Sequence, residues 1–317
     1  MNPLALRWGI LGTGMIANKF ATDLASAKHG SLQGTASRSR ETADGFAGRH
    51  GGAAHAGYDS LLSDPDIDAI YVALPNTLHR EWTTRALDAG KHVLCEKPLA
   101  LRAEEAEELF AHARKCDRHL VEAFMYRAHP QTQRLFRLVA GGLIGELQLV
   151  RANFTFRRPA SRDDARYQPD EGGGSLMDVG CYCTDFIRTL AGEEPVEARA
   201  VTHAHEFGVD DYAAGVLRFD GGLLATFTCG MTVVSDQTAH IAGTKGRIEI
   251  PRFWRGEEGF TVHPQGADAV FHSVEETRPI YAVEADGFAD LVSGGENWNP
   301  PANSIGNMRV LDRLRGM

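Results

Sequence analysis

The sequence predicts two domains: an α/β unit built on a doubly wound parallel sheet, then an α+β unit with a large, mostly antiparallel sheet open on one face. Three observations predict them. From Trp8 to Met125, short apolar runs alternate with stretches of helical periodicity, as in successive βαβ units. After Arg127 the alternation stops, and from Val196 to Val274 one strand pattern follows another. At 317 residues, two cores are the natural expectation. The expected division is 1–127 and 128–317, with the last helix packing back on the first domain.

Composition narrows the class. Hydrophobic residues at 43% and charged residues at 24% are ordinary for a soluble globular enzyme. A net charge of −9 argues against sequence-independent nucleic-acid binding and against an anionic membrane surface. No apolar run approaches the ~20 residues that span a bilayer. Arg7 leads directly into a strand without a signal-peptide pattern. Cysteines 95, 116, 181, 183 and 229 are scattered and form no CxxC. Reduced thiols in a cytoplasm are therefore expected.

Taken in order, the first strand at Trp8–Leu11 meets Gly12-Thr13-Gly14-Met15-Ile16-Ala17, a G-x-G-x-x-A pattern that opens a helix. Gly12 permits the tight turn, Gly14 lets the backbone approach a pyrophosphate, and Ala17 lets helix and strand pack closely. The N–H groups at the helix start, from Thr13 to Ile16, suit an anion. A second strand near 31–36 ends in Ser37-Arg38-Ser39-Arg40. A fold selective for NAD usually places an acid here, on the ribose 2′-hydroxyl. Hydroxyl and guanidinium groups suit a 2′-phosphate, so NADP(H) is favoured over NAD(H), with Ser37 and Arg38 as the contacts. Ile67–Leu74 is a nearly continuous apolar run, as expected of a strand covered on both faces. Leu74, Pro75 and Asn76 at its end are further cofactor candidates, and His79 in the next helix is placed beside the nicotinamide.

His92–Cys95 reads as a short buried strand after a helix end at Gly90, and Glu96-Lys97-Pro98 forms a corner at its carboxyl end. Ligands sit at that edge in parallel α/β sheets. Proline makes the corner rigid and pushes Lys97 out of the helical region. After a helix from Pro98 onward, Leu120–Met125 is the next strand.

Up to Arg127 the chain resembles the glucose-fructose oxidoreductase, inositol dehydrogenase and rhizopine catabolism family of NAD(P)-dependent oxidoreductases. The resemblance rests on Gly12–Ala17, Pro75-Asn76, Ala89-Gly90-Lys91-His92-Val93-Leu94-Cys95-Glu96-Lys97-Pro98 and Glu122-Ala123-Phe124-Met125-Tyr126-Arg127, in the family's order. It implies that Lys97 lies beside the nicotinamide and the reacting carbon, often behind a cis prolyl bond, and that Glu96 helps hold the cofactor. Arg127 is carried as a cofactor contact.

In the second half, Glu146–Phe156 reads as a long strand, with Phe154 a candidate substrate contact. Gly172-Gly173-Gly174-Ser175 leads into a helix reaching about Leu190. Its glycines are expected to let the backbone approach a ligand, and Ser175 to cap the helix. Asp178, Tyr182 and Asp185 share one helical face by their spacing. The family resembled usually has Asp-x-Gly-x-His-x-x-Asp here, with the histidine transferring a proton; this chain has Tyr182 in that place. The departure resembles the branch with glucose-fructose oxidoreductases, dimeric dihydrodiol dehydrogenases and NADP-dependent D-xylose dehydrogenases. A tyrosine has a free pKa of ~10, which a nearby Lys97 ammonium would lower.

The expected reaction is hydride transfer between NADP(H) and a carbon of a cyclic sugar or polyol, foremost C1 of a D-xylose-like aldose. Tyr182 is the acid/base, Lys97 the orienting cation and Asp178 a ligand of a sugar hydroxyl. Trans-dihydrodiol oxidation, keto-sugar reduction and a non-catalytic cofactor-binding regulator are the alternatives. No metal is assigned, because His203 and His205 alternate onto one strand face without a third ligand. In the family resembled, the open sheet face commonly supports assembly, so a homodimer or homotetramer is expected.

Overall fold

The computed structural model describes residues 4–256 and 258–317. It forms two compact units, one running to Ala128 and including Arg278–Pro301, the other made of His129–Thr277 and Ala302–Met317.

The first unit begins β1 (Leu6–Leu11), α1 (Met15–Leu24), β2 (Gly30–Ser37), α2 (Arg40–His50), β3 (Ala53–Ala56) and α3 (Tyr58–Leu62). It continues β4 (Ala69–Val72), α4 (Asn76–Asp88), β5 (His92–Glu96), α5 (Ala103–Lys115), β6 (Leu120–Ala123) and α6 (Met125–Ala128). All six strands run parallel in the order β3-β2-β1-β4-β5-β6. That is the doubly wound order, and it reverses beside β1, so the crevice lies at the carboxyl ends of β1 and β4. The short β3 was not anticipated, since Ala53–Ala56 carries little β-propensity.

In the second unit come α7 (Pro130–Ala140), β7 (Leu147–Thr155), α8 (Cys181–Ala191), β8 (Glu197–Ala204), β9 (Asp210–Arg218) and β10 (Leu224–Gly230). Then follow β11 (Ala239–Gly243), β12 (Gly246–Ile250), β13 (Phe260–Pro264) and β14 (Val270–His272). The sheet order is β14-β13-β12-β11-β7-β10-β9-β8, antiparallel apart from the parallel β7–β10 pair. Phe219 N–H donates to Leu223 O at 3.0 Å, closing the Asp220-Gly221-Gly222 hairpin between β9 and β10. In β9, Asp211, Ala213, Gly215 and Leu217 are buried while Tyr212, Ala214, Val216 and Arg218 are exposed. One face of the sheet is thus covered and one open.

The last two helices differ from the sequence expectation. The penultimate helix, α9 (Ile280–Val292), is the one that joins the first unit. Phe288 packs against Trp8 at 5.4 Å between ring centroids, and Asp286 accepts the Lys28 and His29 N–H groups, each at 2.8 Å. The last helix, α10 (Pro301–Leu314), instead meets α8: Thr184 donates to Asn307 Oδ1 at 2.7 Å and Asn307 Nδ2 to Cys181 O at 3.0 Å. The reason lies in side-chain chemistry. Helix α9 is buried nearly all round and suits an aromatic core, whereas α10 carries amides that need the polar groups of α8.

The start of α8 differs too. Ser175 does not cap it; its hydroxyl donates to Asp210 Oδ2 at 2.6 Å, and the same oxygen accepts Leu176 N–H at 2.8 Å. Gly174, at φ +113°, lies against that Asp210 carboxylate. The glycine thus admits the protein's own acid where a ligand was expected. From Leu176 to Gly180 the chain makes a π-helical turn before α8 proper, a feature often found at functional sites.

Candidate active site

The glycine loop after β1 is shaped by backbone proximity. Gly12 has φ +104°, and a Cβ there would collide with the Ala73 carbonyl. At Gly14 an added Cβ would meet nothing within 4 Å, so the outer side of the loop is open. Asn18 Nδ2 donates to Thr13 O at 2.9 Å and Gly14 O at 2.8 Å, fixing the loop carbonyls. Helix α1 starts at Met15 behind a glycine that carries no capping side chain. Half-buried Thr13 and Ile16 complete the turn. An open glycine loop at a helix N-terminus fits the pyrophosphate of a dinucleotide. Asn18 was missed in the sequence, because an asparagine one turn into a helix carries no local signal for such a role.

At the end of β2, Ser37 Oγ lies 2.6 Å from Thr42 Oγ1, while Ser39 caps α2. Arg40 pairs with Asp44 at 2.9 Å. Arg38 is exposed and makes no ion pair among the described residues. Its guanidinium is thus the cation at this strand end with no acid holding it.

The Glu96-Lys97-Pro98 corner follows β5, and the Lys97–Pro98 peptide is cis. Three carboxylates hold the corner's main chain. Glu96 accepts Lys97 N–H at 3.2 Å, Glu122 accepts Leu99 N–H at 2.9 Å, and Glu105 accepts Leu101 N–H at 3.0 Å. Charge-assisted bonds of this kind are stronger than neutral ones, so the segment carrying Lys97 is rigid. The Tyr71 hydroxyl donates to the other oxygen of Glu96. Burial, then the Glu96 charge, push the Tyr71 phenol well above its ordinary range, which keeps it a donor.

His79, the residue of α4 expected beside the nicotinamide, sits behind the turn that opens the helix. It is fully buried, with Nδ1 2.8 Å from Pro98 O and Nε2 2.9 Å from Leu74 O. Burial pushes its pKa down to about 4. The neutral ring has a single N–H, so it donates to one of these two carbonyls and packs against the other, between the Leu74-Pro75-Asn76 turn and the Lys97 corner; Pro75 itself precedes α4 as its N-cap. Arg127 is 5% exposed, and its Nε donates to Trp298 O at 3.2 Å.

In the second unit, Phe154, Tyr182 and Trp254 come together. Phe154 stacks on Trp254 with centroids 5.1 Å apart and planes at 6°, and meets the Tyr182 ring edge-on at 5.1 Å. Tyr182 and Trp254 are 5.8 Å apart. Trp254 Nε1 donates to Asn153 O at 2.8 Å, which sets its ring plane. Asp178 sits on the π-helical turn, and Arg166 Nε donates to its Oδ2 at 3.1 Å. Asp164 holds the same guanidinium at 3.1 Å. Burial lowers the guanidinium's pKa, but Asp178 and Asp164 outweigh that, and the net shift is upward. Asp185 accepts from Asn303 of α10. Trp254 and Arg166 were not singled out in the sequence, because each joins the cluster only through tertiary packing. His203, considered for metal binding, pairs with Asp211 at 2.7 Å.

Comparison with known proteins shows the family. Residues 6–124 match the model of the oxidoreductase family with an NAD-binding Rossmann fold, and residues 132–249 match the GFO/IDH/MocA C-terminal domain. The chain is 34% identical over 319 residues to a D-xylose 1-dehydrogenase (NADP(+)) of Haloferax volcanii, covering 98% of this chain and 96% of that one. It is 36% identical over 259 residues to a trans-1,2-dihydrobenzene-1,2-diol dehydrogenase of Mus musculus, covering 80% and 77%. Among solved structures, a 3-ketoreductase from Actinomadura kijaniata in complex with NADP and TDP-benzene superposes with a TM-score of 0.88 at 32% identity, covering 99% of this chain and 98% of that one. An aldose-aldose oxidoreductase from Caulobacter crescentus gives a TM-score of 0.90 at 26% identity, covering 98% and 96%. With both halves matched and the glycine loop and Glu-Lys-Pro corner at the carboxyl edge of the parallel sheet, the chain is an NAD(P)-dependent oxidoreductase belonging to the Gfo/Idh/MocA family.

Proposed function

We propose that this enzyme transfers a hydride between NADP(H) and one carbon of a cyclic sugar or polyol, with oxidation of C1 of a D-xylose-like aldose to the lactone as its leading reaction. The observation that carries the reading is the second unit's cluster. A tyrosine stands against two aromatic rings, with an arginine-held carboxylate four residues before it. The partly exposed ring of Phe154, backed by buried Trp254, suits the C–H face of a sugar ring, and a fixed carboxylate suits its hydroxyls. The full-length match to a relative named as a D-xylose 1-dehydrogenase supports the same class.

In this reading the glycine loop from Gly12 to Ile16 holds the pyrophosphate, and Ser37 and Arg38 the 2′-phosphate. Leu74, Pro75, Asn76, Glu96 and Arg127 border the rest of the cofactor. When bound, the nicotinamide supplies the hydride acceptor or donor. Tyr182 takes or returns the hydroxyl proton, Lys97 orients the reacting oxygen and stabilises negative charge on it, and Asp178 binds a neighbouring hydroxyl. Oxidation of a trans-dihydrodiol is the second reading, favoured by the match to the dihydrobenzenediol dehydrogenases.

Nicotinamide absorbance with NADP+ and NAD+ against D-xylose, other aldoses, trans-diols and inositols tests these readings together. Rapid NADP+ reduction with an aldopentose or aldohexose supports the first, and reduction with a trans-diol alone replaces it by the second. Tight NADP(H) binding without reduction by any of them overturns both in favour of a keto-sugar reductase or a regulator. Arg38→Ala is expected to raise the KM for NADP+ by about 10–100-fold, the loss of a charge-assisted contact, and to leave that for NAD+ unchanged. An equal effect on both cofactors would show that Arg38 does not read the 2′-phosphate.

The open sheet face suits a homodimer or homotetramer in a cytoplasmic enzyme. Leu149, Val216 and Leu224 are 54%, 49% and 50% exposed there, on the adjoining strands β7, β9 and β10. Such a patch is costly to leave in water. Val216→Lys is expected to shift the protein to monomer in analytical ultracentrifugation. A wild type that already sediments as a monomer would refute assembly through this face.

A further inference from the structure

Two helices of the first unit, α4 and α5, end beside one another and bring three ligand-type side chains together. Asp88 is the last residue of α4, His112 lies in the last turn of α5, and Cys116 is the residue that ends α5. Their ligand atoms all lie within 4.8 Å of one another. Nε2 of His112 is 2.7 Å from Asp88 Oδ1 and 3.5 Å from Cys116 Sγ. From these residues we infer a divalent-metal site for Zn²⁺, with Asp88, His112 and Cys116 as ligands and a fourth position open to water.

The geometry supports it. With Zn–N near 2.05 Å and Zn–S near 2.3 Å at a tetrahedral angle, the nitrogen and sulfur would stand about 3.6 Å apart. The 3.5 Å observed already meets that. The corresponding N···O separation is about 3.3 Å, so the Asp88 carboxylate needs to withdraw by roughly half an ångström. It is 58% exposed and free to do so. His112 and Cys116 are one turn apart on one helix face, so the backbone itself sets their spacing. The convergence of two helix C-termini adds a field that favours a cation. A thiolate, an imidazole and a carboxylate together suit zinc, whereas magnesium and calcium prefer all-oxygen sites. In chemical terms, binding replaces the thiol proton of Cys116 and the water shell of the metal with a metal–thiolate bond, and one proton is released.

The site lies where α4 turns into β5, at the strand's amino end, whereas Lys97 follows its carboxyl end. The length of β5, about 15 Å, separates the two ends. The metal is therefore a clamp between α4 and α5 and takes no part in hydride transfer.

Cobalt titration of the reduced full-length enzyme tests the site. The other four cysteines are buried, and burial raises Cys183 well above the ordinary thiol range and Cys229 to about 12. A thiolate-to-cobalt charge-transfer band therefore reports Cys116. It is expected to saturate at one Co²⁺ per chain, to vanish in Cys116→Ser, to weaken at least 10-fold in affinity in His112→Ala, and to be displaced by Zn²⁺. Zn²⁺ should also raise the melting temperature of the wild type but not of Cys116→Ser, with turnover unchanged in both. Absence of the band, its survival in Cys116→Ser, or an equal thermal shift in the variant would overturn the assignment. Because turnover is read separately, failure here leaves the proposed reaction untouched.

Discussion

Lys97→Met is expected to lower kcat by about 10²–10⁴-fold while leaving NADP(H) binding measurable, the size of loss typical when a proton-transfer site is disabled. Methionine keeps most of the lysine's length and removes its charge. The corner should survive the change, because it is held through its main-chain N–H groups by Glu96, Glu122 and Glu105. A companion variant, Tyr182→Phe, keeps the ring that contacts Phe154 and Trp254 and removes only the hydroxyl. It should lose kcat on the same scale. Steady-state rates and quenching of protein fluorescence by NADPH measure the two quantities. Unchanged turnover in Lys97→Met would sink the assignment of Lys97 as the orienting cation. A parallel loss of cofactor binding would make Lys97 a cofactor ligand instead.

Glu284→Gln is expected to stabilise the protein, and increasingly so as pH rises. Glu284 lies in α9 with both carboxyl oxygens buried and without a hydrogen-bond partner. Burial, and after it the charge of Glu96, push its pKa well above the ordinary 4.5. Of the two acids, Glu96 has donors in Tyr71 and the Lys97 N–H, so Glu96 carries the charge and Glu284 stays neutral in the fold.

The sign of the pH dependence follows from that. Below pH 4.5 the group is protonated in both folded and unfolded chains and contributes nothing. Above it the unfolded chain ionises while the folded one holds its proton, so folding takes up a proton and stability falls with rising pH until the raised pKa is passed. Glutamine fills the same space and cannot ionise. The gap between variant and wild type should therefore open at up to about 1.4 kcal/mol per pH unit above pH 4.5 and close below it. Urea midpoints across a pH series measure the gap. Parallel curves would mean that Glu284 is charged and paired in the native protein.

Much of the first unit was legible because its signals are local. Strand and helix periods between Trp8 and Met125 act over a few residues, and they specified the parallel sheet. Gly12 was legible because only glycine tolerates φ +104° so close to a carbonyl. The Glu-Lys-Pro corner and the Asp220-Gly221-Gly222 hairpin announced themselves for similar reasons, through turn chemistry that reaches no further than the next residues.

What fixes those features in place was not legible. Which acids bind the corner's N–H groups, which helix joins which unit, that Asp210 and not Ser175 caps the turn before α8, and that Trp254 and Arg166 meet Phe154 and Asp178 are all outcomes of folding. So is the arrival of Asp88 beside His112 and Cys116. His79 is the instructive residue: the sequence offered it as a neighbour of the nicotinamide, and what folding adds is that its ring is fully buried between the Leu74 and Pro98 carbonyls. By itself the sequence determined the elements and the chemistry they carry, since period, turn type and donor set belong to neighbouring residues. Only the tertiary structure decided which buried polar group satisfies which. A desolvated donor or acceptor must find a partner wherever the chain brings one, at any separation along the sequence.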